Sequence, residues 1–173
     1  MKIAFAEISR GKNRYALVDD GWFPHQEVTT TSPATAELIL QRQSDDMVRL
    51  QGRLNAAIQL ACGRCGEMVD FTIDEEFSYL VTTREEKYDP LQAVECSDEE
   101  CSLLYLLEPV IDLGEILREQ VILAIPIRVL CNEDCRGLCP KCGLLLRDGG
   151  CGCDTTNEDS PFALLRALKK QDR

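Results

Sequence analysis

Six of the ten cysteines in this chain lie in one short segment near its C-terminal end, and their spacing is typical of metal ligands. They form three close pairs: Cys131 and Cys135, Cys139 and Cys142, and Cys151 and Cys153. Thiolates this close in sequence can face one centre from a tight turn, and four of them suit a soft, tetrahedrally coordinated metal. Pro140 fixes φ inside one turn, and Gly143 lets the backbone reverse after it. The segment therefore predicts a metal-binding module, with zinc as the expected ion.

A fourth close pair lies in an earlier Cys-Gly-Arg-Cys-Gly sequence. The eight candidate ligands are Cys62, Cys65, Cys131, Cys135, Cys139, Cys142, Cys151 and Cys153. In one arrangement the last four bind one ion and the first four bind a second. In another, the pairs at 62/65 and 139/142 share one ion, and in a third the four cysteines from 131 to 142 bind alone. The sequence leaves these open, and with them the choice between one and two Zn²⁺ ions. Any such site is expected to be structural, because four cysteines leave no position for water.

Other cysteine chemistry competes with zinc. An iron–sulfur cluster also takes four thiolates, and Cys139-Pro-Lys-Cys142 has the spacing of a dithiol redox motif. Cys96 and Cys101 lie among carboxylates, which do not stabilise thiolates, so we predict free thiols there. The single histidine, His25, is predicted to lie in a surface loop. With no phosphate-binding loop or HExxH motif, we predict a protein that is not an enzyme and has no small-molecule substrate.

The charge of the chain is unevenly distributed. The net charge is −11, and residues 74 to 119 hold 14 acidic and 3 basic residues, whereas the chain from residue 131 is balanced. An acidic belt favours basic protein partners. A few cations around the predicted module and sheet offer RNA contacts instead. These candidates are Arg49, Arg53, Arg64, Arg136, Lys141 and Arg147.

Nothing in the sequence indicates a membrane segment or an export signal. No apolar stretch reaches the roughly 18 residues that a membrane span needs, and Glu7 interrupts the apolar start of the chain. We therefore expect a cytoplasmic protein without membrane contacts. In a reducing compartment, closely spaced cysteines favour metal binding over disulfides.

Two runs of alternating apolar and polar residues predict strands. Residues 48 to 60 place apolar side chains at every second position, and the alternation resumes over residues 69 to 79. The turn between them contains the early cysteine pair, so the runs predict an antiparallel hairpin with Cys62 and Cys65 at its tip. Gly52 interrupts the first run and indicates a bulge or bend.

Helices are predicted at two places. Residues 112 to 125 keep one apolar side behind a capping aspartate, and a last helix begins at Ser160. We therefore predict an α+β protein with an antiparallel β-sheet core, a C-terminal cysteine-rich zinc-binding module and short helices. Residues 1–130 form the mainly antiparallel domain with an acidic loop and one helix. Residues 131–173 form the zinc-binding module and the C-terminal helix.

Several of these motifs together resemble the YceD-like family. The resemblance rests on Cys62-Gly-Arg-Cys65, on the helix that starts at Asp112-Leu113 and ends at Leu123-Ala-Ile-Pro126, on Gly137-Leu-Cys-Pro-Lys-Cys-Gly143 and on the following CxC. It covers roughly residue 35 to the end of the chain. Members of the family are linked to accumulation of large-subunit ribosomal RNA in bacteria and plastids. The resemblance implies a non-enzymatic factor in ribosome assembly that binds ribosomal RNA or a basic ribosomal protein.

Overall fold

A computed structural model describes residues 1–18, 20–26, 28–84, 102–146 and 150–153. These residues contain eight β-strands and one α-helix. The strands are β1 (Lys2–Ala4), β2 (Asn13–Leu17), β3 (Thr29–Thr30), β4 (Thr35–Arg42), β5 (Met47–Ala61), β6 (Met68–Thr82), β7 (Leu103–Tyr105) and β8 (Val110–Asp112). The helix is α1 (Leu113–Ala124), and short 3-10 turns cover Phe5–Glu7 and Asp20–Trp22. The predicted last helix at Ser160 lies outside the described residues.

Six of the strands form one sheet in the order β2-β4-β5-β6-β7, with β3 paired to β5 beside β4. β1 and β8 form a separate antiparallel pair. The pairings of β2, β3 and β4 are antiparallel, but β6 and β7 run parallel. Within the described residues the protein is therefore sheet-dominated with one helix. The large sheet is mixed, which corrects the predicted antiparallel core.

The hairpin of β5 and β6 follows from their alternating sequences. In β5 the apolar positions Leu50, Leu54 and Ile58 are fully buried, Ala56 is also buried, and the residues of the opposite parity are exposed or half-buried. β4 has the same pattern, and Leu40 pairs with Leu50 in the continuous β4–β5 register. Burial of one side of both strands fixes their register, because a one-residue slip would expose the whole apolar set.

Gly52 is explained by close packing. The β4–β5 register runs through the Leu38–Gly52 pair without interruption, so the predicted bulge is absent. A Cβ atom on residue 52 would lie 2.3 Å from the ring of Phe77 and 2.7 Å from a methyl group of Leu38. The glycine therefore makes room for an aromatic ring that crosses the strand.

The helix α1 begins where the sequence predicts. The side chain of Asp112 accepts hydrogen bonds from the backbone N–H groups of Gly114 and Glu115, which satisfies donors of the first turn. Its apolar side is buried against the core, with Leu113, Leu117 and Val121 fully covered. Among the described residues, no helix has the length and apolar character required to span a membrane.

The chain divides into two compact units. The first contains Met1–Leu60 and Asp70–Ile127, and the second contains Ala61–Val69 together with the chain from residue 128 onward. The connection between β5 and β6 therefore belongs to the same unit as the cysteine-rich segment. All eight candidate metal ligands lie in the second unit.

Candidate metal centres

The first group of cysteines joins the hairpin tip to the start of the cysteine-rich segment. Its members are Cys62, Cys65, Cys131 and Cys135, whose Sγ atoms all lie within 4.8 Å of one another. The Sγ atoms of Cys62 and Cys135 are 3.8 Å apart, and those of Cys65 and Cys131 are 3.7 Å apart. These cysteines are free thiols, and their separations are far above the ~2.05 Å of a disulfide bond.

These separations match a tetrahedral metal site. Four sulfur atoms at the ~2.3 Å distance of a Zn–S bond stand about 3.8 Å apart at the corners of a tetrahedron. Cys62, Cys65 and Cys135 are buried and Cys131 is partly buried. Val69, Leu130 and Leu145 pack against the group. The site is thus largely shielded from water, as expected of a structural metal centre.

The second group is built within the cysteine-rich segment. Cys139, Cys142, Cys151 and Cys153 also place all four Sγ atoms within 4.8 Å of one another. Cys139 is buried, Cys142 is exposed, and the other two are partly buried. The two groups together correspond to the first of the three arrangements that the sequence left open.

Each group starts from the same backbone turn. In the first turn, the N–H of Cys62 donates to the carbonyl of Glu67 (2.7 Å) and the N–H of Gly66 donates to the carbonyl of Cys62 (2.9 Å). In the second, Cys139 donates to Leu144 and Gly143 donates to Cys139, both at 2.8 Å.

The glycine after each second cysteine has a left-handed conformation, with φ of +77° at Gly66 and +72° at Gly143. A side chain is strained in this region, so both turns require glycine there. Cys-x-x-Cys-Gly is therefore one structural unit that occurs twice.

The turns direct backbone N–H groups at their first sulfur. The N–H of Arg64 lowers the pKa of the Cys62 thiol to about 5, against the opposing effect of burial, with help from the N–H groups of Cys131 and Cys65. The N–H of Cys142, the Cys151 thiol and the N–H of Lys141 lower the pKa of Cys139 to about 6. Each turn thus stabilises one thiolate even without a bound metal ion.

In each group another cysteine has a raised pKa. The side chain of Cys135, together with burial, raises the pKa of Cys131 to about 12. The side chains of Cys151 and Cys142 raise the pKa of Cys153 to about 12. Four thiolates this close repel one another, so a dication is what allows all four to be deprotonated together. The donor set fits a zinc ion in each group.

The loop that carries Cys135 is held by Arg64. Its Nη1 atom donates to the backbone carbonyls of Cys135 (2.6 Å) and Glu133 (3.2 Å). Gly137 lies against the backbone of Arg64, with φ of +75°. Its carbonyl accepts a hydrogen bond from the N–H of Leu146 (2.9 Å). Sequence reasoning missed these supports because only the folded chain brings residue 64 to residues 133–137.

The six predicted RNA-contacting cations have different surroundings. Arg53 forms a two-point ion pair with Asp74 and a further ion pair with Glu76. Arg64 is engaged with the carbonyls described above. Arg49, Arg136 and Lys141 are exposed and have no ion pair among the described residues. Arg147 lies outside the described residues.

Two other sequence predictions concern His25 and the two remaining cysteines. His25 is exposed and its ring lies 5.2 Å from that of Phe23, so it is part of neither cysteine group. Cys96 and Cys101, predicted to be free thiols, lie outside the described residues.

The chain is similar in sequence to several known proteins. Residues 50–169 match the family described as "Large ribosomal RNA subunit accumulation protein YceD". A relative from Arabidopsis thaliana, "Large ribosomal RNA subunit accumulation protein YCED homolog 1, chloroplastic", is 29% identical over 144 residues, which is 72% of this chain and 45% of the relative. "Uncharacterized protein ML1660" of Mycobacterium leprae (strain TN) is 26% identical over 119 residues, which is 66% of this chain and 50% of the relative. No solved structure matches the chain.

These findings define a sheet-dominated protein with two four-cysteine groups that could each hold a metal ion. The chain belongs to the YceD family, because the family match covers more than half of it. It spans about half the length of the curated relatives it matches.

Proposed function

We propose that the protein is a non-enzymatic factor in large-subunit ribosomal RNA accumulation and ribosome assembly, and that two structural zinc ions hold its cysteine-rich module. The observation that carries the zinc proposal is the pair of four-cysteine groups, each built on a Cys-x-x-Cys-Gly turn. The ribosomal role is supported by the family match. As direct partner we propose ribosomal RNA or a basic ribosomal protein.

Zinc is favoured over other ions by the donor set. Thiolates select zinc, iron–sulfur clusters or Cu(I) over the hard ions that prefer oxygen. Sulfur atoms 3.7–3.8 Å apart suit one ion at the centre of the first group. The four sulfur atoms of the second group lie within 4.8 Å of one another, which also suits one ion. Zinc bound by four cysteines has no open position for a substrate, so its contribution is to folding, on the order of 10 kcal/mol per site. We assign Cys62, Cys65, Cys131 and Cys135 to one ion and Cys139, Cys142, Cys151 and Cys153 to the other.

The proposed module comprises residues 131–173 together with the hairpin tip at residues 61–69. Arg136 and Lys141 are exposed beside the cysteines and are proposed contacts for RNA, with Arg147 as a third. The acidic composition of residues 74 to 119 suits a basic ribosomal protein instead. We propose a cytoplasmic location, where both partners are available.

The ribosomal role is tested by genetic complementation. In cells that lack the gene, we expect the ratio of large-subunit to small-subunit ribosomal RNA to fall, and the wild-type gene to restore it. The double variant Cys135→Ser/Cys151→Ser, with one ligand removed from each group, should restore it poorly at matched protein level. An unchanged ratio in the deleted cells would contradict the proposed function, whatever metal the protein contains.

The competing proposal is a thiol redox or iron–sulfur protein that uses the Cys-x-x-Cys pairs. Elemental analysis separates it from the zinc proposal, provided that the protein is purified without a metal-affinity column. We expect two zinc ions and no iron per chain. Iron with visible absorbance indicates a cluster, and thiols that react at once without a chelator indicate a redox pair.

A further inference from the structure

A group of exposed cations belongs to the first unit, which contains none of the eight candidate metal ligands. Its members are Arg10, Lys12, Arg14 and Arg49, and we call them the basic surface. Arg14 lies on β2 and Arg49 on β5, while Arg10 and Lys12 belong to the turn before β2. Only Arg49 among them is one of the six cations that the sequence indicated for RNA contact.

The sheet register places Arg14 and Arg49 on the two strands that flank β4, and Lys12 directly precedes Asn13, which pairs with Leu40. Gln41 pairs with Arg49 on one side, and its Nε2 atom donates to the carbonyl of Arg10 on the other (3.0 Å). Arg14 pairs with Ile39, two residues from Gln41 on the same side of the strand. Because neighbouring strands lie about 4.8 Å apart, backbones on the two flanks of β4 are about 10 Å apart. The basic surface is thus a compact patch with an amide at its centre.

The charges of this patch are not neutralised within the described residues. None of its four side chains forms an ion pair there. Arg53 lies four positions after Arg49 on β5 and differs from it, because the guanidinium of Arg53 is bound by Asp74 and Glu76. Four cations this close in space repel one another. A polyanionic ligand would remove that repulsion.

We propose that the basic surface binds the phosphate backbone of RNA. The inference rests on the proposed function for the identity of the polyanion and goes beyond it by naming a contact surface outside the cysteine-rich module. Arginine and lysine side chains contact phosphates without reading sequence, and Gln41 can donate to a phosphate or a ribose. RNA is favoured because phosphate contacts need only charge and hydrogen-bond donors, and the patch supplies both.

Binding is tested with the full-length, zinc-loaded protein and a fluorescein-labelled single-stranded RNA, by anisotropy at several salt concentrations. The test variant is Arg14→Ala/Arg49→Ala. Each phosphate contact on a single strand contributes ~0.7 to the slope of log K against log salt, so two lost contacts should reduce the slope by about 1.4. The same relation predicts an affinity about 25-fold lower at 0.1 M salt. The matched control, Lys2→Ala/Arg118→Ala, removes two exposed charges from β1 and α1 of the same unit and should bind as wild type does.

The outcomes separate this inference from the proposed function. Absence of salt-dependent RNA binding by the wild type overturns the inference, as does an equal loss in the control variant. It is also overturned if polyglutamate competes as well as unlabelled RNA, because the surface would then fit an acidic protein. If the wild-type gene still restores ribosomal RNA in the deleted cells, the proposed function stands although the inference has failed.

Discussion

The two cysteine groups share a turn but complete their sites differently. Each begins with Cys-x-x-Cys-Gly and the same pair of backbone hydrogen bonds. The first is completed by Cys131 and Cys135, with Cys131 lying 66 residues after Cys65 in the sequence. The second is completed by the nearby Cys151-Gly-Cys153. The first group therefore closes a long loop and is mostly buried, whereas the second is local and has an exposed ligand, Cys142.

Because the two loops differ in length, the two sites are expected to contribute differently to the stability of the second unit. Loop-closure entropy grows as (3/2)RT ln n, so fixing the longer loop costs the chain about 2 kcal/mol more than fixing the shorter one. Metal binding at the first site must offset that cost, and it does so by holding residues 61–69 and the segment from residue 131 together. The first site is therefore expected to stabilise the second unit as a whole, and the second site to shape only the segment around it.

Removing one ligand from each group gives the largest expected effect. Cys135→Ser and Cys151→Ser should each lower the zinc content from two ions to one, as measured by elemental analysis. Both should lose several kcal/mol of stability, because zinc binding supplies folding free energy of ~10 kcal/mol per site. Cys135→Ser should be the more damaging, and hydrogen exchange should show loss of protection over residues 61–69 in that variant alone.

Cys96→Ser is the matched control and should keep both zinc ions, since Cys96 lies among carboxylates in the sequence. Equal destabilisation by the two ligand variants would contradict the unequal roles. Loss of both ions from either variant would mean that the two sites depend on each other.

Chelation should remove the two ions at different rates. The exposed Cys142 gives water and chelator access to the second group, and three of four ligands in the first group are buried. With excess chelator, native mass spectrometry should show loss of one zinc before the other. Alkylation during the first phase should label Cys142 before Cys65, as peptide mapping would report.

Variants with one ligand removed show which group releases its zinc in which phase. Cys151→Ser should show only the slow phase, and Cys135→Ser only the fast one. A single phase in the wild type would show that exposure does not control release.

The sequence alone was sufficient to predict the cysteine pairs and the hairpin tip. Spacing alone indicated all four cysteine pairs, and strand alternation placed Cys62 and Cys65 at the hairpin tip. The ligand turns are local, so their signal is contained in a few consecutive residues. Which pair joins which depends instead on contacts such as that between Arg64 and the carbonyl of Cys135, which no short pattern encodes.

The same limit explains the errors in the predicted fold. The parallel β7 is not joined to β6 by a tight turn, so its direction had no local signal. Gly52 was interpreted as a bulge or bend, but the ring of Phe77 on the next strand explains why a glycine is needed there. In both cases the deciding contact lies far away in sequence.

Substitution of the two turn glycines, Gly66 and Gly143, should give the smallest loss of stability. It also tests directly whether the two turns are equivalent. Gly66→Ala and Gly143→Ala each place a side chain at positive φ, and the new Cβ meets nothing within 4 Å at either position. Only backbone strain remains, so each variant should cost about 1–2 kcal/mol. Urea unfolding of the zinc-loaded proteins should therefore give similar losses for both. Clearly unequal losses would mean that the two turns are not equivalent.

Gly137→Ala has the same backbone strain and an added clash. The new Cβ would lie 2.7 Å from the carbonyl oxygen of Arg64, which is backbone and cannot rotate away. It should therefore cost more than either turn glycine, and it should speed chelator release from the first group while leaving the second unchanged. If Gly137→Ala costs no more than Gly66→Ala, the contact with Arg64 does not brace the first site, and the burial of its ligands must account for its stability.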